Sequence, residues 1–220
     1  MVGLLGWPVA HSVSPQMHNA AFRALNLNYV YLAFDVREMD LEKAVNGLKA
    51  IGSPGFNVTI PHKIKIISFL DELDESAEKV GAVNTVVIKD GRARGYNTDV
   101  YGVEEALKGR NLTRTKPAMV IGAGGAGKAI AFQLAQKVEE LIILNRTVEK
   151  AKVLAETLRE RFGKRVVGEP LSEKFLKERL KQVDILINAT SIGMHPNVEE
   201  SPVNPRWLRS NLTVMDIVYN

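Results

Sequence analysis

An apolar run, Met119-Val-Ile121, leads straight into glycines at 122, 124 and 127, and a helix-forming run follows from Ala126. No other stretch restricts the fold as much. A G-x-G-x-x-G turn between a strand and a helix lets a pyrophosphate sit on a helix N-terminus. Gly122 suits the tight turn, Gly124 a close approach of backbone to phosphate, and Gly127 close packing of helix on strand. Ala123, Gly125 and Ala126 complete the loop. The motif is weak alone, but its strand–turn–helix setting strengthens it.

The next strand bears on the choice of dinucleotide. Leu141-Ile-Ile-Leu144 is an apolar β-run that ends at Asn145-Arg146-Thr147. In the NAD form of this motif an Asp or Glu here accepts bonds from the ribose 2′-hydroxyl. Asn145 holds that place, with Arg146 beside it and Lys150 one turn on. A carboxylate repels a 2′-phosphate, whereas an arginine pairs with it bidentately. NADP is therefore expected over NAD.

The rest of the chain alternates strand and helix, which predicts an α/β fold with parallel sheets. Strands are expected at Val2–Leu5, Tyr29–Val36, Gly55–Thr59, Arg165–Val167, Asp184–Asn188 and Leu212–Val218. Asp90-Gly91 predicts a hairpin between Asn84–Lys89 and Arg92–Tyr96. Ser14-Pro15 predicts a helix start, with Ser14 as N-cap and the proline at the first helical position. Asp40 is expected to cap a second helix, and Ser172 to open one through Lys181. The polar stretch Asn111–Pro117 reads as a connector. Two domains follow: an N-terminal α/β substrate domain over 1–99 and a Rossmann-like, doubly wound dinucleotide domain over 100–220.

Composition narrows the function classes. No apolar run reaches membrane-spanning length. Met1-Val-Gly-Leu-Leu-Gly-Trp-Pro8 carries no basic segment and too short an apolar stretch for a signal peptide. Cysteine is absent, which removes disulfides, thiolate nucleophiles and Cys-ligated metals. A cytoplasmic protein is expected. The net charge is +4, but the basic residues alternate with acids, as in Glu156-Thr-Leu-Arg-Glu-Arg161. That pattern makes solvated helix faces, not a nucleic-acid stripe. The four histidines lack metal-ligand spacing with carboxylates, so no metal is expected.

Polar residues gather at the ends of the N-terminal strands, where open α/β sheets bind ligands. Ser12 and Ser14 follow the first strand. Asn57 and Thr59 alternate with Val58 on a strand that leads to Pro61-His62-Lys63. An asparagine in such a strand is costly unless bonded, so a polar pocket is expected there. Asn84 begins one hairpin strand and Asn97-Thr98-Asp99 ends the other. Lys63 and Asp99 admit two readings: a proton-exchanging pair facing a substrate hydroxyl, or a surface lysine and a helix-capping aspartate.

These residues belong to seven motifs. They are Ser12-Val-Ser-Pro-Gln-Met-His-Asn19, Phe56-Asn-Val-Thr-Ile-Pro-His-Lys63, Gly81-Ala-Val-Asn-Thr85, Gly95-Tyr-Asn-Thr-Asp-Val-Tyr-Gly102, Gly122–Gly127, Asn145-Arg-Thr147 and Asn188-Ala-Thr-Ser-Ile-Gly-Met194. Together, in this order and over nearly the whole chain, they resemble the shikimate dehydrogenase family. The resemblance implies NADP-dependent, reversible reduction of 3-dehydroshikimate to shikimate, a step of aromatic amino-acid biosynthesis. It implies that Ser12, Ser14, Asn57, Thr59, Lys63, Asn84 and Asp99 line the substrate pocket. Lys63 would move the hydroxyl proton and Asp99 would orient the same region. Thr190, Ser191 and Met194 would border the nicotinamide. Family members usually continue past a Tyr-Asn-Pro segment into helices that bring in a glutamine. Here Tyr219 is present as a substrate contact and that glutamine is not, so lower stability and activity than in a longer chain are expected. The rival readings are a quinate/shikimate dehydrogenase of broader specificity, a non-catalytic shikimate-binding sensor and, at a distance, a folate-linked dehydrogenase. The Ser12/Ser14 pair and the Asn57–Lys63 run do not suit the last. The expected partners are small molecules, with the protein as a monomer or homodimer.

Overall fold

The computed structural model describes residues 1–108 and 117–218. The chain divides into two compact units, Met1–Thr98 and Asp99–Asn220. The expected connector at 111–116, and Tyr219, lie outside the described residues.

The first unit is built on a six-stranded sheet. Its strands are β1 (Val2–Gly6), β2 (Tyr31–Asp35), β3 (Gly55–Val58), β4 (Glu72–Leu73), β5 (Thr85–Lys89) and β6 (Arg92–Tyr96), in the order β2-β1-β3-β5-β6-β4. Strands β1, β2 and β3 run parallel, joined by α1 (Ser14–Ala24) and α2 (Leu41–Ala50). The sheet is not all-parallel, however. The predicted hairpin forms β5 and β6, with Asp90 and Gly91 at positive φ in its turn, and β5 pairs antiparallel with β3. Two-residue β4 was not expected; it pairs with β6 at the edge and is too short to leave a period-2 signal. A short helix α3 (Glu75–Val80) is capped by Asp74, whose carboxylate accepts from Ser76 N at 3.0 Å.

The two faces of this sheet differ. Leu5, Phe56, Val58 and Val86 point to one side and pack with Val45 and Leu48 of α2 and with Ile66. Leu4 and Tyr31 point to the other, with Phe22 of α1 packed against them. Helix α1 buries none of its residues fully. Its start also corrects the capping expectation. Val13 is the N-cap and makes no side-chain bond, and Ser14 is already helical with Pro15 in the first turn. Ser12 does the local bonding instead: its Oγ accepts from Ser14 N at 3.2 Å. Asp40 likewise occupies the N-cap of α2 without a capping bond, and its carboxylate pairs with Lys43.

The second unit begins with α4 (Asp99–Leu107) and then winds in the parallel manner the glycine turn predicts. It holds β7 (Ala118–Ile121), α5 (Gly125–Lys137), β8 (Glu140–Asn145), α6 (Val148–Phe162), β9 (Arg165–Pro170), α7 (Glu173–Arg179), β10 (Ile185–Asn188) and β11 (Thr213–Asp216). The strand order is β11-β10-β7-β8-β9, parallel throughout. Strand β7 is buried along its whole length, as a central strand covered on both faces must be. Ser172 caps α7 as expected, accepting from Phe175 N at 3.4 Å, though the helix closes earlier than Lys181.

Candidate active site

In the first unit the polar candidates share one end of the sheet. Ser12 and Ser14 follow the carboxyl end of β1, and Thr59 and Lys63 follow that of β3. The antiparallel register brings the start of β5 and the end of β6 to the same end, since Asn57 pairs with Thr85 and Thr85 with Tyr96. Asn84 and Thr98 therefore lie there too. The backbone after β3 is tightly held. Thr59 N donates to Leu5 O at 2.8 Å, Thr59 O accepts from His62 N at 2.9 Å, and Lys63 O accepts from Val83 N at 2.7 Å. His62 is fully buried and bonds Val36 O through Nε2 at 2.6 Å. These contacts root the Lys63 backbone while its side chain stays half-buried.

The asparagines have separate tasks. Asn84 Oδ1 accepts from Thr98 N at 2.9 Å, and its Nδ2 meets Thr98 Oγ1 at 2.9 Å. Asn57 was expected to need bonds and has them, but to protein groups. Its Oδ1 accepts from the Tyr31 hydroxyl at 2.8 Å and its Nδ2 donates to Thr85 Oγ1 at 3.1 Å. Asn97, buried, donates to Ala82 O at 2.9 Å.

In the second unit the strand order reverses between β7 and β10, and the glycine turn sits at that switch point, where α/β sheets bind ligands. Gly122 has φ +113°, and a Cβ there would lie 2.7 Å from Ala189 O. At Gly127 a Cβ would lie 2.2 Å from Gly122 O. Both positions therefore exclude any side chain. At Gly124 a Cβ would meet nothing within 4 Å, so the protein itself does not demand glycine at that exposed corner. Asn145 bonds inward: its Oδ1 accepts from Ala123 N at 3.0 Å and its Nδ2 donates to Thr147 O at 2.9 Å. It thus fastens the turn to the β8–α6 corner, where Arg146, Thr147 and Lys150 are exposed.

Lys128 was not singled out from the sequence. It lies in the first turn of α5, half-buried, and burial first and the Lys150 charge second hold its ammonium below the usual lysine range. A partly desolvated cation near another cation, at a helix N-terminus, favours an anionic ligand. The signal available was a basic residue directly behind the glycine turn. Beyond β10, Asn188 shapes the loop of Thr190, Ser191 and Met194. Its Oδ1 accepts from Thr190 N at 3.1 Å and Thr190 Oγ1 at 2.7 Å, and its Nδ2 donates to Asp216. Among the described residues no group of three or more His, Cys, Asp or Glu side chains is placed to hold a metal ion.

A doubly wound unit with a dinucleotide turn and an α/β unit with a polar sheet end, in one chain, define the class of two-domain dinucleotide-dependent enzymes. Residues 4–86 match the family model described as shikimate dehydrogenase substrate binding domain, and residues 104–218 match the one described as shikimate / quinate 5-dehydrogenase. The chain belongs to the shikimate dehydrogenase family. It is 51% identical over 222 aligned residues to a protein of Methanocaldococcus jannaschii named shikimate dehydrogenase (NADP(+)), covering 100% of this chain and 78% of that one. A solved shikimate dehydrogenase in complex with NADP+ is 48% identical, with a TM-score of 0.85 over 99% of this chain and 76% of the other. The Thermus thermophilus enzyme in complex with NADP(H) and shikimate is 36% identical, with a TM-score of 0.82 over 99% and 78%.

Proposed function

We propose that this chain catalyses the reversible, NADP-dependent reduction of 3-dehydroshikimate to shikimate. The observation that carries the reading is the 51% identity, over all of this chain, to a shikimate dehydrogenase named for NADP. The cofactor set is Gly122 to Gly127 for the pyrophosphate and Arg146, Thr147 and Lys150 for the 2′-phosphate, with Thr190, Ser191 and Met194 beside the nicotinamide. Gly124 fits this role, because only an outside group needs its missing side chain. Asn145 supports the turn by its two inward bonds. Held by these residues, NADP would supply the hydride chemistry, as acceptor for the alcohol and, when reduced, as donor for the ketone.

The chain's own residues bind the ring and move the proton. Ser12 and Ser14 hold the substrate carboxylate, and Thr59 and Asn84 bond ring hydroxyls. Lys63 takes the hydroxyl proton during oxidation and delivers it during reduction, while Asp99 orients the same hydroxyl. Tyr219 is a further substrate contact. Asn57 supports this set through its bonds to Tyr31 and Thr85. The protein acts on small molecules in the cytoplasm, as a monomer or homodimer, and no helix among the described residues is long and apolar enough to cross a membrane.

The test crosses shikimate and quinate with NADP and NAD and follows absorbance of the reduced nicotinamide. Turnover with shikimate and NADP well above the other three pairs is expected. Comparable turnover with quinate or NAD would move the assignment to a quinate/shikimate dehydrogenase. Tight calorimetric shikimate binding without turnover would make the protein a sensor.

A further inference from the structure

The hydrogen bonds on one face of the first sheet have a fixed direction, and that direction can be worked out donor by donor. A backbone N–H can only donate, so Thr98 N at 2.9 Å from Asn84 Oδ1 fixes which way the Asn84 amide faces. Thr85 Oγ1 lies 3.0 Å from the same Oδ1, and a hydroxyl facing a carbonyl oxygen must donate. Its one proton being used, Thr85 Oγ1 accepts from Asn57 Nδ2 at 3.1 Å. The Asn57 amide is fixed a second way, because Nδ2 also lies 3.4 Å from the Asn84 carbonyl, which can only accept. Asn57 Oδ1 therefore receives the Tyr31 hydroxyl at 2.8 Å. Each link leaves the next group one choice, and the donors all point from Tyr31 towards Asn84.

The first member is anchored on both sides. Tyr31 is 3% exposed, and its ring stacks on His18 at 4.2 Å and 11°. Asn19 of α1 bonds both its backbone N–H and its carbonyl, at 2.8 and 2.9 Å. Tyr31 sits on edge strand β2 and reaches over β1 to Asn57 on β3. Burial pushes its phenol up to about 12, so the donor keeps its proton at any working pH.

We infer that Tyr31, Asn57 and Thr85 are positioning residues for substrate recognition: their one-way hydrogen-bond relay holds the Asn84 amide in the orientation that meets the substrate ring. The inference rests on the proposed function for the identity of that substrate.

The relay is tested by three conservative variants. Tyr31→Phe keeps the ring and removes the first donor, Thr85→Val keeps the shape and removes the middle link, and Thr85→Ser keeps the hydroxyl. KM for shikimate is expected to rise about 5-fold to 10-fold in Tyr31→Phe and Thr85→Val, the effect of one lost hydrogen bond. KM for NADP and kcat should stay within about two-fold, and Thr85→Ser should behave as the parent protein. Loss of thermal stability with unchanged KM in both damaging variants would overturn the inference. The NMR signals of the Asn84 side-chain amide give a readout without turnover. They should shift in Tyr31→Phe and Thr85→Val and not in Thr85→Ser. A parent protein without shikimate turnover sinks the proposed activity alone, whereas unmoved Asn84 signals sink the relay.

Discussion

Lys63 is the residue on which the proposed chemistry turns. Its backbone is fixed by the Val83 bond and by the buried His62 beside it, so replacing the side chain should leave the fold intact. Lys63→Ala is expected to lower kcat by about 100-fold or more with little change in KM, the signature of lost proton transfer. Steady-state kinetics decide it, and an unchanged kcat removes Lys63 from the mechanism. Arg146, exposed at the β8–α6 corner, should act on binding alone. Arg146→Ala is expected to weaken NADP about 10-fold or more and NAD hardly at all, as loss of a charge-assisted bond to one phosphate requires. At this scale the sequence was readable where a residue's chemistry has few outlets. Asn57 in a β-run demanded partners, and it has them. Which partners was not readable, because Tyr31 is 26 positions away and fits an ordinary β-pattern. Ser14 misled for the same local reason: Ser before Pro is a cap signature, but the helix begins one residue earlier than the signature implies.

The elements were easier to read than their ends. Alternation of strand and helix located β1 to β3 and β7 to β11, most plainly β7 and β10, where burial on both faces leaves a strong signal. The hairpin was legible from Asp90-Gly91, whereas β4, two residues held only by β6, carries no pattern of its own. The glycine turn shows how two glycines in one motif can serve different ends. At Gly127 an added Cβ would lie 2.2 Å from the Gly122 carbonyl, so Gly127→Ala must push α5 away from β7. A loss of about 1–3 kcal/mol is expected, as for other overpacked sites, seen as a lower melting temperature. Gly124 has open space and φ −81°, a conformation any residue adopts. Gly124→Ala should melt like the parent protein yet bind NADP more weakly. If both variants lose stability equally, the turn is structural throughout and the reading of Gly124 fails.

Over the molecule as a whole, the two units are expected to respond differently to acid. In the first unit two carboxylates brace the β6 side of the sheet. Asp71 accepts from Ala93 N at 2.6 Å and from Lys49 at 2.8 Å, which ties β6 to α2. Asp74 caps α3 and reaches Arg94 of β6 at 3.2 Å. Both are held below the usual carboxylate range, Asp71 chiefly by the Ala93 N–H and then by Lys49, Asp74 chiefly by the Ser76 N–H and then by its hydroxyl. A carboxyl whose pKa is lower folded than unfolded adds stability that is complete above its unfolded value. That contribution fades as pH falls through the folded one. The first unit should therefore lose hydrogen-exchange protection on β5 and β6 as pH drops below the ordinary aspartate range. Asp71→Asn keeps an acceptor for Ala93 but discards the charge. It should destabilise the first unit at neutral pH and flatten its acid dependence, with little change in the β7 and β8 amides. Both partners of Asp71 lie more than twenty residues away in the chain, so this brace, unlike the glycine turn, was out of reach of any local pattern. An acid transition that strikes both units together, unchanged in Asp71→Asn, would show that the brace does not govern acid unfolding.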